Sequence, residues 1–189
     1  GKQSGGSGDA ETRLGSGLVV KNFGKVFIDG FRGINTYQST LFVYADIANR
    51  TSTIDISRTE INSSGGNGIR VMGSDTDHVG ATRVVISNFI IKNCESHGIR
   101  CNFRLGVINT GYIESSNASL AIEYASDLLI SDVVSSRCAT GILCRYYPLD
   151  GTDKLTFSNI KISNPSVQAI YFARNSGNTT NALGKIRFS

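Results

Sequence analysis

Apolar and polar residues alternate with a period of two along most of the chain, which is the pattern of half-buried β-strands, and no long apolar face recurs at helical period. The alternating runs also repeat. Beginning at Ile56, one unit reads IDISRTEINSSGGNGIRV, and similar units follow as VVISNFIIKNCESHGIRC, GVINTGYIESSNASLAIEY, LLISDVVSSRCATGILC and LTFSNIKISNPSVQAIYF. Their origins are Ile56, Ile86, Ile108, Ile130 and Phe157, with partial copies starting at Ile28 and Phe188. Neighbouring origins lie 22 to 31 residues apart. Helical repeats hold their length because two helices must pack in register, whereas stacked short strands tolerate loops of any length between them. The pattern predicts an all-β fold, a right-handed, single-stranded parallel β-helix of about six to seven coils of 22–31 residues. It occupies residues 18–189 after a Gly/Ser-rich lead-in over 1–17, and the whole is expected to be part of a longer chain.

Aligning the units gives three expected core columns. The first holds the origins themselves, the second Ile61, Ile91, Ile113, Ser135 and Ile162, and the third Ile69, Ile99, Ile122, Ile142 and Ile170. Like side chains stacked about 4.8 Å apart form a dry ladder while the backbone pairs with the coils on either side. The residue after each origin is polar: Ser57, Ser87, Asn109, Ser131 or Ser158. A small residue, Gly68, Gly98, Ala121, Gly141 or Ala169, precedes the third column, where it suits a tight turn or a positive φ. The four cysteines fall in two columns, Cys94 with Cys138 across Ser116, and Cys101 with Cys144 across Tyr124. Residues two coils apart are separated by about 9.6 Å, more than the roughly 7 Å that a disulfide spans, so all four are expected to be free, buried thiols. Free thiols suit assembly in a reducing cytoplasm.

Composition adds limits. With 189 residues, 40% hydrophobic content, 21 Gly and only 2 Pro, the chain is long enough for one continuous core rich in turns. No apolar stretch has the length of a membrane span, and the first residues do not pair a basic segment with an apolar one, so neither membrane insertion nor secretion is expected from this sequence. The net charge is +4, but Lys and Arg are scattered, which disfavours nucleic acid as a partner. Four Asn-x-Ser/Thr triplets, at Asn49, Asn62, Asn117 and Asn178, read as turn and ladder residues.

The stacked Ile columns, the Ser/Asn column, the Gly-Ile strand starts and the irregular coils resemble the pectate-lyase-like parallel β-helix superfamily, and within it phage tailspikes and capsule depolymerases. The resemblance covers roughly residues 20–189 and rests on pattern, without a catalytic signature. Only Ser96-His97-Gly98-Ile99 resembles the Gly-His-Gly segment of polygalacturonases, whose other elements are missing. The resemblance implies a polysaccharide ligand, a homotrimer, and a place on a virion tail or outside the cell after cytoplasmic assembly. Function then divides into a polysaccharide-degrading hydrolase or lyase acting on surface or capsular glycan, and a non-catalytic fibre or adhesin segment that binds glycan without cutting it.

Candidate chemistry follows from the columns. On the outward face of the third strand the alignment places Arg70, Arg100, Glu123, Leu143 and Tyr171, with Arg104, Arg145, Tyr146, Tyr147 and Arg174 just beyond. Guanidinium forks hold carboxylates and aromatic faces cover sugar rings, so Arg70, Arg100, Arg104, Arg145, Tyr146, Tyr147, Tyr171 and Arg174 are the candidate substrate-binding residues for an acidic glycan. The alternative is a solvated face on which Arg100 and Glu123 form an exposed pair. Glycoside cleavage needs two carboxyl groups about 5 to 9.5 Å apart, and the same-face candidates are Glu123, Asp127 and Asp150. Asp75, Asp77 and His78 offer Ca²⁺ ligands or acid/base groups, although Ser-Asp-Thr-Asp-His is also ordinary turn chemistry. His97 reads as a hydrogen-bonded turn histidine rather than a base. No other cofactor is expected.

Overall fold

The computed structural model describes residues 15–21, 24–44, 52–72, 83–102, 105–125, 127–144, 154–172 and 185–189. They form thirteen strands: β1 (Leu18–Lys21), β2 (Lys25–Asp29), β3 (Arg32–Thr36), β4 (Leu41–Tyr44), β5 (Thr53–Ser64), β6 (Ile69–Met72), β7 (Arg83–Asn102), β8 (Leu105–Tyr124), β9 (Asp127–Ser136), β10 (Thr140–Cys144), β11 (Lys154–Ser163), β12 (Gln168–Phe172) and β13 (Lys185–Phe188). Every pairing among them is parallel. The chain coils as a β-helix with three faces, and each strand pairs with its equivalent one coil earlier and one coil later.

The first predicted column is observed in full: Ile28, Ile56, Ile86, Ile108, Ile130, Phe157 and Phe188 are successive Cα partners. So is the second, with Ile61, Ile91, Ile113, Ser135 and Ile162 in register and Gly33 before them. Ile56, Ile61, Ile86, Ile91, Ile108 and Ile113 are fully buried. At roughly 25 cal/mol per Å² of apolar surface, each such side chain stabilises the fold by about 1.5–3 kcal/mol, and a stack of them supplies the core.

The third column differs from the expected one. Ile69, Ile99, Leu120, Ile142 and Ile170 are in register, so Leu120 and not Ile122 stands between Ile99 and Ile142. Ile122 instead pairs with Cys101 and Cys144, the place expected for Tyr124. In the small-residue position Ser119 replaces Ala121, since Ser119 directly precedes Leu120. The cause is the turn before this strand: two residues, Glu95 and Ser96, lie between Cys94 and His97, but only Asn117 lies between their partners Ser116 and Ala118. A period of two cannot detect that change, because Leu120 and Ile122 both point inward.

Corners are made by two stacks of residues in the left-handed region. Gly30, Arg58, Asn88, Thr110, Asp132 and Asn159 follow the first strand of successive coils, and Asn35, Ser63, Asn93, Ser115, Arg137 and Asn164 follow the second, all with φ between 49° and 69°. Asn and Asp accept this conformation at little cost, whereas a β-branched residue such as Thr110 is strained by about 1 kcal/mol or more. Side chains link the corners along the axis: Asn93 Nδ2 donates to Asn62 Oδ1 (2.9 Å), and Asn159 Nδ2 donates to Asp132 Oδ1 (2.7 Å). The glycines before the third column have negative φ, so conformation does not require them. Space does: a Cβ on Gly98 would lie 2.4 Å from Ile113 Cγ2, and one on Gly68 2.6 Å from Ile91 Cγ2.

All four cysteines are free and buried. Burial pushes the thiols of Cys94 and Cys144 up to about 12, and raises that of Cys101 further, so they behave as small apolar core residues. One ladder position is imperfect, because Ser135 sits in the second Ile column 2% exposed and its Oγ has no hydrogen-bond partner among the described residues.

Three outcomes are expected. Ser135→Val should raise stability by about 1–2 kcal/mol, because it removes an unsatisfied hydroxyl from a site whose neighbours in the column are Ile. Thr110→Asn should add about 1 kcal/mol by relieving the left-handed β-branched residue. Urea melts of both variants check this, and a lower midpoint in either would contradict the register assigned to that coil. Asp29 accepts hydrogen bonds from Ser57 Oγ and both Arg58 Nε and Nη2, and the Arg58 guanidinium, foremost, holds its carboxyl down at about 2 against an ordinary 3.8. The depressed value means that this pair supports the fold fully above pH 4 and ceases to do so as pH falls through 2. In an NMR titration, Arg58→Ala should return the Asp29 midpoint toward its ordinary value.

Candidate functional site

The third face carries β1, β4, β6, the ends of β7 and β8, β10 and β12. Inward positions hold the third column, so the intervening residues Phe42, Arg70, Arg100, Ala121, Leu143 and Tyr171 face outward in register. Arg70 and Arg100 are direct neighbours on adjacent coils. Two like charges about 4.8 Å apart repel each other unless each is compensated. Arg70 lies over the ring of Phe42, 5.0 Å from its centroid, which gives its cation an aromatic face. Arg100 donates from Nη2 to Glu123 Oε1 at 2.7 Å.

Glu123 does not occupy the position expected for it. The Cα partner of Arg100 is Ala121, and Glu123 is the extra residue of a bulge: Cys101 pairs with Ile122 and Asn102 with Tyr124, so the β7 register passes over Glu123. A bulge redirects the side chain of its additional residue, and here the carboxylate turns back toward the preceding coil. The pair is also less exposed than expected, with side-chain accessibilities of 26% for Arg100 and 20% for Glu123. Arg100 Nε is buried and has no hydrogen-bond partner among the described residues. Half-buried, charge-assisted contacts of this kind are stronger than a solvated surface pair.

The remaining candidates are dispersed. Tyr171 is 44% exposed at the far end of the stripe, separated from Arg100 by Ala121 and Leu143. Asp127 opens β9 on the first face, exposed, with Leu105 and Lys154 as its Cα partners. Glu123 and Asp127 therefore belong to different strands and different faces. Arg104, Arg145, Tyr146, Tyr147, Asp150 and Arg174 lie outside the described residues, as do Asp75, Asp77 and His78. Among the described residues no group of three or more His, Cys, Asp or Glu is arranged to hold a metal ion.

His97 is hydrogen-bonded before the third strand, the place where a turn histidine is expected. Its Nδ1 lies 2.8 Å from Ser96 Oγ and 2.9 Å from Asn67 Oδ1, and Asn67 Nδ2 in turn donates to Ser39 Oγ at 3.1 Å. Ser39, Asn67 and His97 thus continue one polar ladder through three coils.

A carboxylate that sequence reasoning missed stands on the second face. Glu114, 8% exposed, is a Cα partner of Lys92, receives Lys92 Nζ at 3.5 Å, and pairs with Arg137 of the corner stack in the next coil. Lys92 also lies 5.6 Å from the centroid of Tyr112. With two cations on one buried carboxylate, this cluster joins three coils and has the character of a structural tie. Only the column alignment signals it, since Lys92 and Glu114 occupy the same position in successive units.

No curated protein and no solved structure matches the chain. The family model of the right-handed β-helix region matches residues 16–184, nearly the whole length. With parallel pairing throughout and the origins in register from Ile28 to Phe188, the chain belongs to the right-handed parallel β-helix family.

Proposed function

We propose that the chain is a polysaccharide-binding β-helix that engages an acidic glycan along its third face. One observation carries this reading: Arg70 and Arg100 stand in register on adjacent coils, one over an aromatic ring and the other half-buried against a bulged carboxylate. Both guanidiniums are oriented before any ligand arrives, so little side-chain entropy is lost when a carboxylated sugar binds. A parallel β-helix also suits a linear polymer, since it repeats its surface along one axis. Tyr171 extends the same stripe. In this reading Arg104, Arg145, Tyr146, Tyr147 and Arg174 complete the binding surface. Assembly as a trimeric virion-tail or extracellular protein of tailspike type belongs to the same proposal and rests on the resemblance of the repeat pattern.

Cleavage would draw on Glu123 as one carboxyl group, with Asp127 or Asp150 as the second. The ion pair between Glu123 and Arg100 favours a receptor segment that binds without cutting, because it commits the carboxylate to a cation. The two readings separate in one experiment. The protein is incubated with acidic capsular polysaccharides while reducing ends, ultraviolet absorbance of unsaturated products and binding are followed. Reducing ends alone mean hydrolysis, added absorbance means elimination, and binding with neither means a receptor module.

Arg70→Gln and Arg100→Gln should each weaken binding by about ten- to a hundredfold, the loss of one charge-assisted contact, while the circular dichroism stays native. Raised salt should weaken the wild-type complex. Lys161→Ala, exposed on the second face, should leave affinity unchanged. Equal loss at Lys161 would show that net positive charge, rather than the stripe, attracts the glycan.

A further inference from the structure

A polar groove of about 610 Å³ opens away from the third-face stripe, at the turn between the second and third strands of three successive coils. The turns stack because Thr36, Ser64 and Cys94 are in register just before them. At the next position the coils carry Tyr37, Gly65 and Glu95 in turn. The middle coil therefore contributes no side chain at that position, and the two outer turns stand two strand spacings apart, about 9.6 Å. One side of the groove is Tyr37, 71% exposed, and the other is the exposed Glu95. Gly65 and Gly66 form the floor, and Asn35 and Asn93 line its edge.

This notch is held in shape by backbone contacts. The amides of Tyr37 and Gln38 both donate to Gly15 O (3.0 and 3.1 Å), Gly65 N donates to Thr36 O (2.8 Å), and Ser96 N donates to Gly66 O (3.1 Å). Ser64 Oγ donates to Gln38 O at 2.7 Å. The glycine floor is sterically required, since a Cβ on Gly65 would lie 2.2 Å from Tyr37 O. A notch with a fixed floor costs little to organise on binding.

We infer that this notch is a second carbohydrate subsite, which takes one uncharged glycosyl ring between Tyr37 and Glu95. A ring in contact with an aromatic face stands about 3.5–4.0 Å from it, which leaves hydroxyls on its far side within hydrogen-bond reach of Glu95. The carboxylate accepts from hydroxyls, and the amides of Asn35 and Asn93 offer both donors and acceptors at the rim. Neither wall provides a cation, and Glu95 repels a uronate carboxylate, so the ligand class differs from the one proposed for the arginine stripe. The inference stands independently of that stripe.

The test is an NMR titration of the full chain with methyl glycosides of glucose, galactose, mannose, N-acetylglucosamine and rhamnose, and with methyl glucuronide for comparison. At least one neutral glycoside should shift the amide resonances of Gly65, Gly66 and Glu95 saturably at millimolar concentration, and the glucuronide should bind more weakly. Tyr37→Ala should reduce that affinity by about tenfold or more and Glu95→Gln by several-fold, while Arg70→Gln leaves it unchanged. Because Tyr37 and Glu95 are exposed, these replacements test the site without altering the ladders. The inference is overturned if no neutral glycoside shifts these resonances, or if Tyr37→Ala binds as the wild type does. Loss of stripe binding with notch binding intact would count against the proposed function alone.

Discussion

Everything in this molecule depends on the parallel backbone ladder that joins each coil to the next at a fixed spacing of about 4.8 Å. Because each strand must pair in register with its equivalent, a residue is always placed above and below the same position of the neighbouring coils. Apolar positions then stack on apolar ones, and the inward side of the first face supplies a continuous dry column from Ile56 to Phe157, with Ile28 partly buried at one end and Phe188 exposed at the other. The constraint also reaches polar residues. Ser39, Asn67 and His97 form one ladder, while Lys92, Glu114 and Arg137 tie three coils by charge.

The same register explains the corners. A coil can close only if the chain bends sharply at equivalent points, and a single residue with φ near 50° achieves this between strands. Stacking repeats that demand in every coil, so a column forms that favours Asn, Asp or Gly. Arg58, Thr110 and Arg137 occupy such positions despite the conformational cost. For Arg58 and Arg137 the compensation is visible, since each side chain reaches a carboxylate of the preceding coil. For Thr110 the described residues show no compensating contact.

Departures from perfect stacking create the surfaces with chemical character. The bulge at Glu123 places a carboxylate beside Arg100, where an uninterrupted ladder would have left two arginines facing only Ala121. The pair of glycines at Gly65 and Gly66 opens a gap between Tyr37 and Glu95. Both sites arise because one coil differs from its neighbours by a residue inserted or a side chain omitted. A solenoid of identical coils would present only stripes. Its irregularities are what make discrete pockets, and they are therefore the places where specificity can reside.

The sequence by itself determined the fold class, the origin of every coil and the membership of the first two columns, because strand alternation and repetition are written directly in residue types. It also determined that the cysteines are too far apart to pair, since a spacing of two coils exceeds disulfide reach. In the third column the sequence pointed to Ile122 where Leu120 stands. Both are apolar and both have inward parity, so the length of the turn between Ser116 and Ala118 decided the matter. That one-residue difference moved Glu123 out of the ladder and into the bulge. Burial of Glu114 and the notch beside Tyr37 likewise followed from tertiary structure alone, because each is formed by residues from three coils whose relative positions depend on turn lengths. Alternation reports which way a side chain points, and only the stacked backbone decides what it meets there.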